Sequence, residues 1–183
     1  MIDHANTRIL ITGGHGFLGS HIVDMLQNRY NVPREALCVP IHSEANLKDM
    51  ETCKRLVHKN NIIIHCAAHV GGIGLLKEKP GEIMYDNVIM GFQLLEAARL
   101  EGIKKIVILG TTCSYPSSTP IPTPESSLWD GFPDPVTGYY GLAKKMLFVQ
   151  ADAYRKQYGL HYVGLLPTNI YGPGDNFDLA HSH

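Results

Sequence analysis

Short apolar runs along the chain alternate with longer stretches of helical spacing. Arg8-Ile9-Leu10-Ile11-Thr12 predicts a buried strand, and residues 20–26 predict a helix after it. A second strand is expected over 36–39, then a mostly polar helix over 47–60 beginning near Asn46 and Asp49. Residues 61–68 are β-branched and apolar on both faces, as a parallel strand covered from both sides should be. A helix over 80–101 has Pro80 near its start and Gly102 after its end. A fourth strand over 103–109, an irregular proline-rich stretch over 111–137, an amphipathic helix over 138–158 and a fifth strand over 161–166 complete the series. Strands alternating with helices predict an α/β fold, a doubly wound parallel sheet with right-handed crossovers and helices on both faces. Its ligands should collect at the carboxyl ends of the strands.

The turn between the first strand and first helix sharpens that picture. Gly13-Gly14-His15-Gly16-Phe17-Leu18-Gly19 is a glycine turn in strand–turn–helix context. Gly13 and Gly16 allow a tight turn and a close backbone approach to a pyrophosphate. Gly19 lets the helix lie near the strand, and the helix N-terminus offers free N–H groups to an anion. The fold is therefore expected to be Rossmann-type.

Composition narrows the class. Hydrophobic content is 44%, charged content 18% and net charge −1, which describes a globular chain with no bulk electrostatic pull toward nucleic acid or membrane. The start of the chain lacks a basic, apolar leader, and no apolar run is long enough to cross a bilayer. The four cysteines Cys38, Cys53, Cys66 and Cys113 form no CxxC pair, so a reducing cytoplasm is expected. Ten histidines are scattered without metal-ligand spacing, and no metal site is expected.

Candidate chemistry sits on the helix over 138–158. Tyr140 and Lys144 are four apart and share one face. A phenol titrates at about 10, and a nearby ammonium favours the phenolate. Such a tyrosine can exchange a proton with a carbonyl or alcohol. Tyr139 has no lysine four residues on. Thr111 or Thr112, at the carboxyl end of the fourth strand, can hydrogen-bond the same oxygen or merely end the strand. The stretch over 111–137 reads as a lid or substrate wall rather than a spacer.

These motifs, in this order, resemble the extended short-chain dehydrogenase/reductases of the NAD-dependent epimerase/dehydratase family that act on nucleotide sugars. Further stretches resemble its GDP-L-fucose synthase branch: Ala67-Ala68-His69-Val70-Gly71-Gly72-Ile73, Tyr85-Asp86-Asn87, Thr112-Cys113-Ser114-Tyr115-Pro116, and the run from Pro167-Thr168-Asn169 through Tyr171-Gly172-Pro173-Gly174 to Asp175-Asn176-Phe177. The resemblance implies hydride transfer from NADPH to a 4-keto-6-deoxy sugar nucleotide with C3/C5 epimerisation. In that scheme Tyr140 donates the proton to the C4 oxygen, Lys144 lowers the tyrosine pKa and holds the ribose, and Thr111 hydrogen-bonds the C4 oxygen. Cys113 and His183 match the epimerisation base and acid. A small buried residue at a strand end is the other reading of Cys113. Cofactor contacts are implied for Gly13, Gly16, Phe17, Leu18, Gly19, His42, Ala67, Ala68, Asn87, Tyr140, Lys144, Pro167 and Asn169, and substrate contacts for Thr112, Asn169 and Asn176. Asn87 and Asn169 read equally as buried groups satisfying local backbone.

The resemblance also implies a homodimer through the helices over 81–101 and 139–158. Their apolar residues Met90, Leu94, Met146, Phe148 and Val149 can equally be core. Where the sequence departs from the pattern, expectations shift. Val39-Pro40-Ile41-His42-Ser43 carries neither the acidic residue that selects NAD nor the arginines that select NADP, and His15 stands where fucose synthases often have arginine. The family leans to NADP(H), with NAD(H) the alternative. His15, His42 and Ser43 can hydrogen-bond a phosphate, and the polar residues near Asn46 can meet the adenine. Relatives continue into a substrate-gripping lobe that residues 1–183 do not include, so this dinucleotide-binding domain alone is expected to show little turnover. Alternative functions are an NAD-dependent 4-epimerase or dehydratase and a non-catalytic nucleotide-binding module.

Overall fold

A computed structural model describes residues 7–178. Strands β1 (Ile9–Thr12), β2 (Leu37–Cys38), β3 (Ile62–His65), β4 (Lys105–Leu109) and β5 (Tyr162–Leu165) form one sheet in the order β2-β1-β3-β4-β5. Every neighbouring pair is parallel. Strand order reverses between β1 and β3, which is the switch point where a doubly wound sheet opens a crevice at its carboxyl edge. In register, Thr12 at the end of β1 lies beside His65 at the end of β3.

The helices are α1 (Phe17–Asn28), α2 (Met50–Val57), α3 (Ile73–Glu78), α4 (Pro80–Leu100) and α5 (Gly138–Tyr158). One face of the sheet presents Leu10, Ile63, Ile106 and Ile108 to α2, α4 and α5, and all four are fully buried. The other face packs Ile9, Ile11, Ile62 and Ile64 against Ile22, Val23 and Leu26 of α1. The expected Rossmann-type α/β sheet with helices on both faces is what the chain adopts.

Two of the helices differ from expectation. α2 is shorter than 47–60, because the Asp49 carboxylate accepts from Thr52 N at 2.7 Å and caps a helix that starts at Met50. It ends at Val57, where His58 turns out to an extended ψ of 135° and Lys59 takes a positive φ of 64°. The six-residue α3 was not expected; it fits between Gly72 and Pro80, too short to show periodicity.

The proposed dimer residues divide. Leu94 is fully buried and Phe148 nearly so, inside the core shared by α4 and α5. Met146 and Val149 are exposed on the outer face of α5. The two helices lie close at Gly91, where a Cβ would strike the Leu147 side chain.

On the α1 side, β4 and β5 carry no covering helix among the described residues. Val107, Leu109 and Leu165 meet Leu18, Ile22 and Ile170 around an apolar hollow of about 550 Å³. Leu165 is 45% exposed there.

His65 illustrates how the core handles a titratable group. It is 2% exposed, and its Nδ1 lies 2.8 Å from Thr12 Oγ1. Burial, with the nearby Lys144 charge, pushes it down to about 3, so the native ring is neutral. Unfolding returns it to the ordinary range and takes up a proton. Stability from this group is therefore full above about 6.5 and declines as pH falls toward 3, with a slope of about 1.4 kcal/mol per pH unit for one proton. Denaturant titrations between pH 7 and 4 should show that slope. His65→Asn, which keeps an acceptor for Thr12, should flatten it; an unchanged slope in the variant would assign it elsewhere.

Candidate active site

The glycine turn forms as its residues dictate. Gly13 has φ +69°, and a Cβ there would sit 2.7 Å from Ala67 N, so only glycine lets β1 and the end of β3 approach this closely. A Cβ on Gly19 would overlap the Gly13 carbonyl oxygen and lie 2.7 Å from Gly14 Cα. Gly16 caps α1 in an extended conformation with no side-chain hydrogen bond, and the first turn has no acidic residue. The N–H groups of Phe17 and Leu18 thus open a helix whose positive end is left for an anion. The cradle, the uncapped helix end and the neighbouring Ala67 backbone fit a dinucleotide pyrophosphate.

Tyr140 and Lys144 lie on α5, as their spacing requires. Tyr139 points outward, 42% exposed, with its ring edge-on to Phe132 at 6.3 Å. Tyr140 points inward and is half-buried. Burial pushes its phenol up to about 12, and a charge on Cys113 would push the same way. Lys144 is 2% exposed, and burial pushes it down to about 8, partly offset by Cys66. The balance at Tyr140 therefore opposes the lowering expected from the ammonium. Lys144 lies toward His65 and Cys66 at the end of β3 instead.

The third element comes from the end of β4. Thr111 caps a short 3-10 turn, Thr112–Ser114, its Oγ1 accepting from Cys113 N at 3.2 Å. The turn is clamped to α5 beside Tyr140. Ser114 Oγ donates to Gly141 O at 2.8 Å, and a Cβ on Gly141 would lie 2.5 Å from the Cys113 carbonyl carbon. Tyr140 and Cys113 interact electrostatically across this contact. Thr111, Thr112, Cys113, Tyr140 and Lys144 are thus gathered at the carboxyl edge. Ser114 and Gly141 make that possible and were not singled out from sequence; a small residue directly after the tyrosine was the available signal.

Asn87 is 2% exposed and ties the loop after β3 to α4. Its Oδ1 accepts from His69 N at 3.0 Å, and its Nδ2 donates to the His69 and Ile83 carbonyls at 2.7 Å each. That uses the side chain on local backbone, two residues beyond Ala67, which lies against Gly13. His69, Glu82 and Asp86 lie close enough together for a cation, but Asp86 already receives Lys48 Nζ at 3.0 Å and faces His69 Nδ1 at 2.9 Å.

His42 opens an exposed 3-10 turn after β2, and His15 Nε2 lies 3.3 Å from the Val39 carbonyl oxygen. Pro167 is half-buried beyond β5, while Asn169 and Asn176 are exposed. The loop carrying them folds back on α1, where His21 Nε2 lies 2.8 Å from Pro173 O. His183 lies outside the described residues.

Fold and site together define a Rossmann-type α/β domain with a Thr-Tyr-Lys set at its carboxyl edge. The chain belongs to the NAD dependent epimerase/dehydratase family, whose pattern matches residues 9–183. It is 34% identical to a GDP-L-fucose synthase from Sinorhizobium fredii over 178 residues, covering 96% of this chain and 55% of that protein. Among solved structures, a GDP-L-fucose synthetase from Naegleria fowleri bound to NADP superimposes with TM-score 0.85 at 28% identity, covering 97% of this chain and 58% of that one. A GDP-mannoheptose C4 reductase from Campylobacter jejuni with NADP bound superimposes with TM-score 0.88 at 25% identity, covering 97% and 52%. The chain spans about half the length of the curated relatives it matches.

Proposed function

We propose that residues 1–183 form the dinucleotide-binding and catalytic half of a nucleotide-sugar epimerase-reductase. The observation that carries this is the clamp of the Thr112–Ser114 turn on Gly141, which brings Cys113 beside Tyr140 at the carboxyl edge of the sheet. Gly13, Gly16, Gly19 and the α1 N-terminus hold the pyrophosphate, and Lys144 meets the ribose hydroxyls. NADP(H) is favoured over NAD(H), with His15, His42 and Ser43 near the 2′-phosphate. When bound, the dinucleotide supplies hydride to C4 of a 4-keto-6-deoxy sugar nucleotide.

Tyr140, raised to about 12, is fully protonated at neutral pH and so stands ready to donate to the developing C4 alkoxide. Thr111 hydrogen-bonds that oxygen. Cys113 and His183 exchange protons at C3 and C5, where the ketone stabilises the enolate through the same oxygen contacts. Met146 and Val149, exposed on α5, support pairing of two copies through α4 and α5. The four free thiols suit a reducing cytoplasm.

The test is twofold. NADPH and NADH are titrated side by side against the chain, and hydride-labelled cofactor is followed into the product of a form that turns over. Net reduction consumes cofactor and supports the proposal. Interconversion without consumption would favour the 4-epimerase reading.

Lys144 gives this binding a pH signature. Its ammonium, lowered to about 8, loses its proton as pH rises through that value, and with it the charged donor to the ribose. The NADPH dissociation constant should rise between pH 7 and 9. Lys144→Met should bind weakly at both ends with a flat profile; a rise that persists in the variant would place the titration in another group.

A further inference from the structure

Lys145 follows Lys144 on α5 and serves neither the cofactor nor the proposed proton transfers. It is 6% exposed. Its ammonium donates to the Leu128 carbonyl and lies 4.6 Å from the centre of the Trp129 ring. Asp130, the next residue, adds a favourable charge. All three partners belong to one short stretch, the 3-10 turn Glu125–Trp129 and its C-cap Asp130.

That turn lies in the middle of the long segment between β4 and α5. The segment is fastened near its ends, by Ser114 on Gly141 and by a bridge between Pro116 and Pro133. Between those points, residues 120–126 are exposed, and the chain dips inward at Ser127 and Leu128, where Lys145 waits. Burying an ammonium costs free energy that a methionine or leucine of like volume would not. An apolar residue cannot hold a backbone carbonyl and a ring face at the same time.

We propose that Lys145 is a positioning residue that pins the middle of the 111–137 segment to the helix carrying Tyr140. Trp129 is held with one face on the ammonium and 57% of its surface open to solvent. The consequence for substrate rests on the function proposed above: the segment is a wall of the sugar site, set in place before the sugar arrives. The pinning itself does not depend on that function.

Trp129 is the sole tryptophan, so its emission reads this contact directly. In Lys145→Met, acrylamide quenching of Trp129 should rise by roughly half as the local hold is released, the ring being 57% exposed already. The melting temperature should change little, because relief of the buried charge offsets the loss of the donor to the Leu128 carbonyl. If Lys145→Met fails to fold, Lys145→Gln carries the test, since it keeps a donor for Leu128 but no charge for the ring. Unchanged quenching in a folded variant overturns the proposal. So does increased quenching accompanied by a melting temperature lowered by more than about 8 °C, which would make Lys145 an ordinary structural contact. NADPH affinity is measured alongside: failure of the unsubstituted chain to bind would strike the proposed function and leave the quenching comparison standing.

Discussion

Replacing Tyr140 by phenylalanine is expected to cut turnover by roughly a hundredfold to ten-thousandfold while NADPH still binds. The ring stays, so the half-buried packing of α5 is kept. What disappears is the hydroxyl that, in the proposed mechanism, hands a proton to the substrate oxygen. The pyrophosphate contacts proposed above come from the glycine turn and the α1 N-terminus, which the substitution does not touch. Calorimetric titration of NADPH into the 183-residue chain checks the binding half. The chemical half is checked in a form that turns over a nucleotide 4-keto sugar. Activity within a few-fold of the unsubstituted protein would remove Tyr140 from the reaction.

The second large effect is expected at Gly141. A methyl group there would overlap the Cys113 carbonyl oxygen and crowd Ser114 N at 2.9 Å, all backbone atoms that cannot rotate away. Gly141→Ala should therefore lift the Thr112–Ser114 turn off α5. Overpacking of this kind costs about 1–3 kcal/mol of stability. The catalytic cost should be larger than that implies, because Thr111 and Cys113 move relative to Tyr140, and a small misplacement can remove about a hundredfold in rate. Denaturant unfolding and turnover, measured on the same preparation, separate the two. If Gly141→Ala leaves both unchanged, the clamp does not organise the site.

Much of this was legible from the residues. α5 runs over the expected 138–158, because its amphipathic spacing is sustained and Gly159, at φ +73°, ends it in a left-handed cap. The glycine turn was legible because Gly13 and Gly19 answer separate steric demands. Other features depended on distant partners. β3 was expected through residue 68 but stops at His65, because Gly13 comes in against Ala67 and ends the pairing. Asn87 read equally as ligand or scaffold until its three bonds to the His69 and Ile83 backbone were in view. Leu94 and Met146 looked alike on helical spacing; one is core and the other surface, a distinction fixed by how α4 and α5 cross. The phenol's upward shift could not be anticipated from Tyr140 and Lys144 being four apart, since it comes from burial under the β4 turn.

The hollow against β4 and β5 ties the chain's measured robustness to its company. Any greasy solute, detergent tail or peptide that settles among Val107, Leu109 and Leu165 prefers the folded form, which alone offers that lining. Its chemical potential then enters the unfolding equilibrium by mass action. Melting curves recorded in different buffers are therefore comparable only when their amphiphile content is matched.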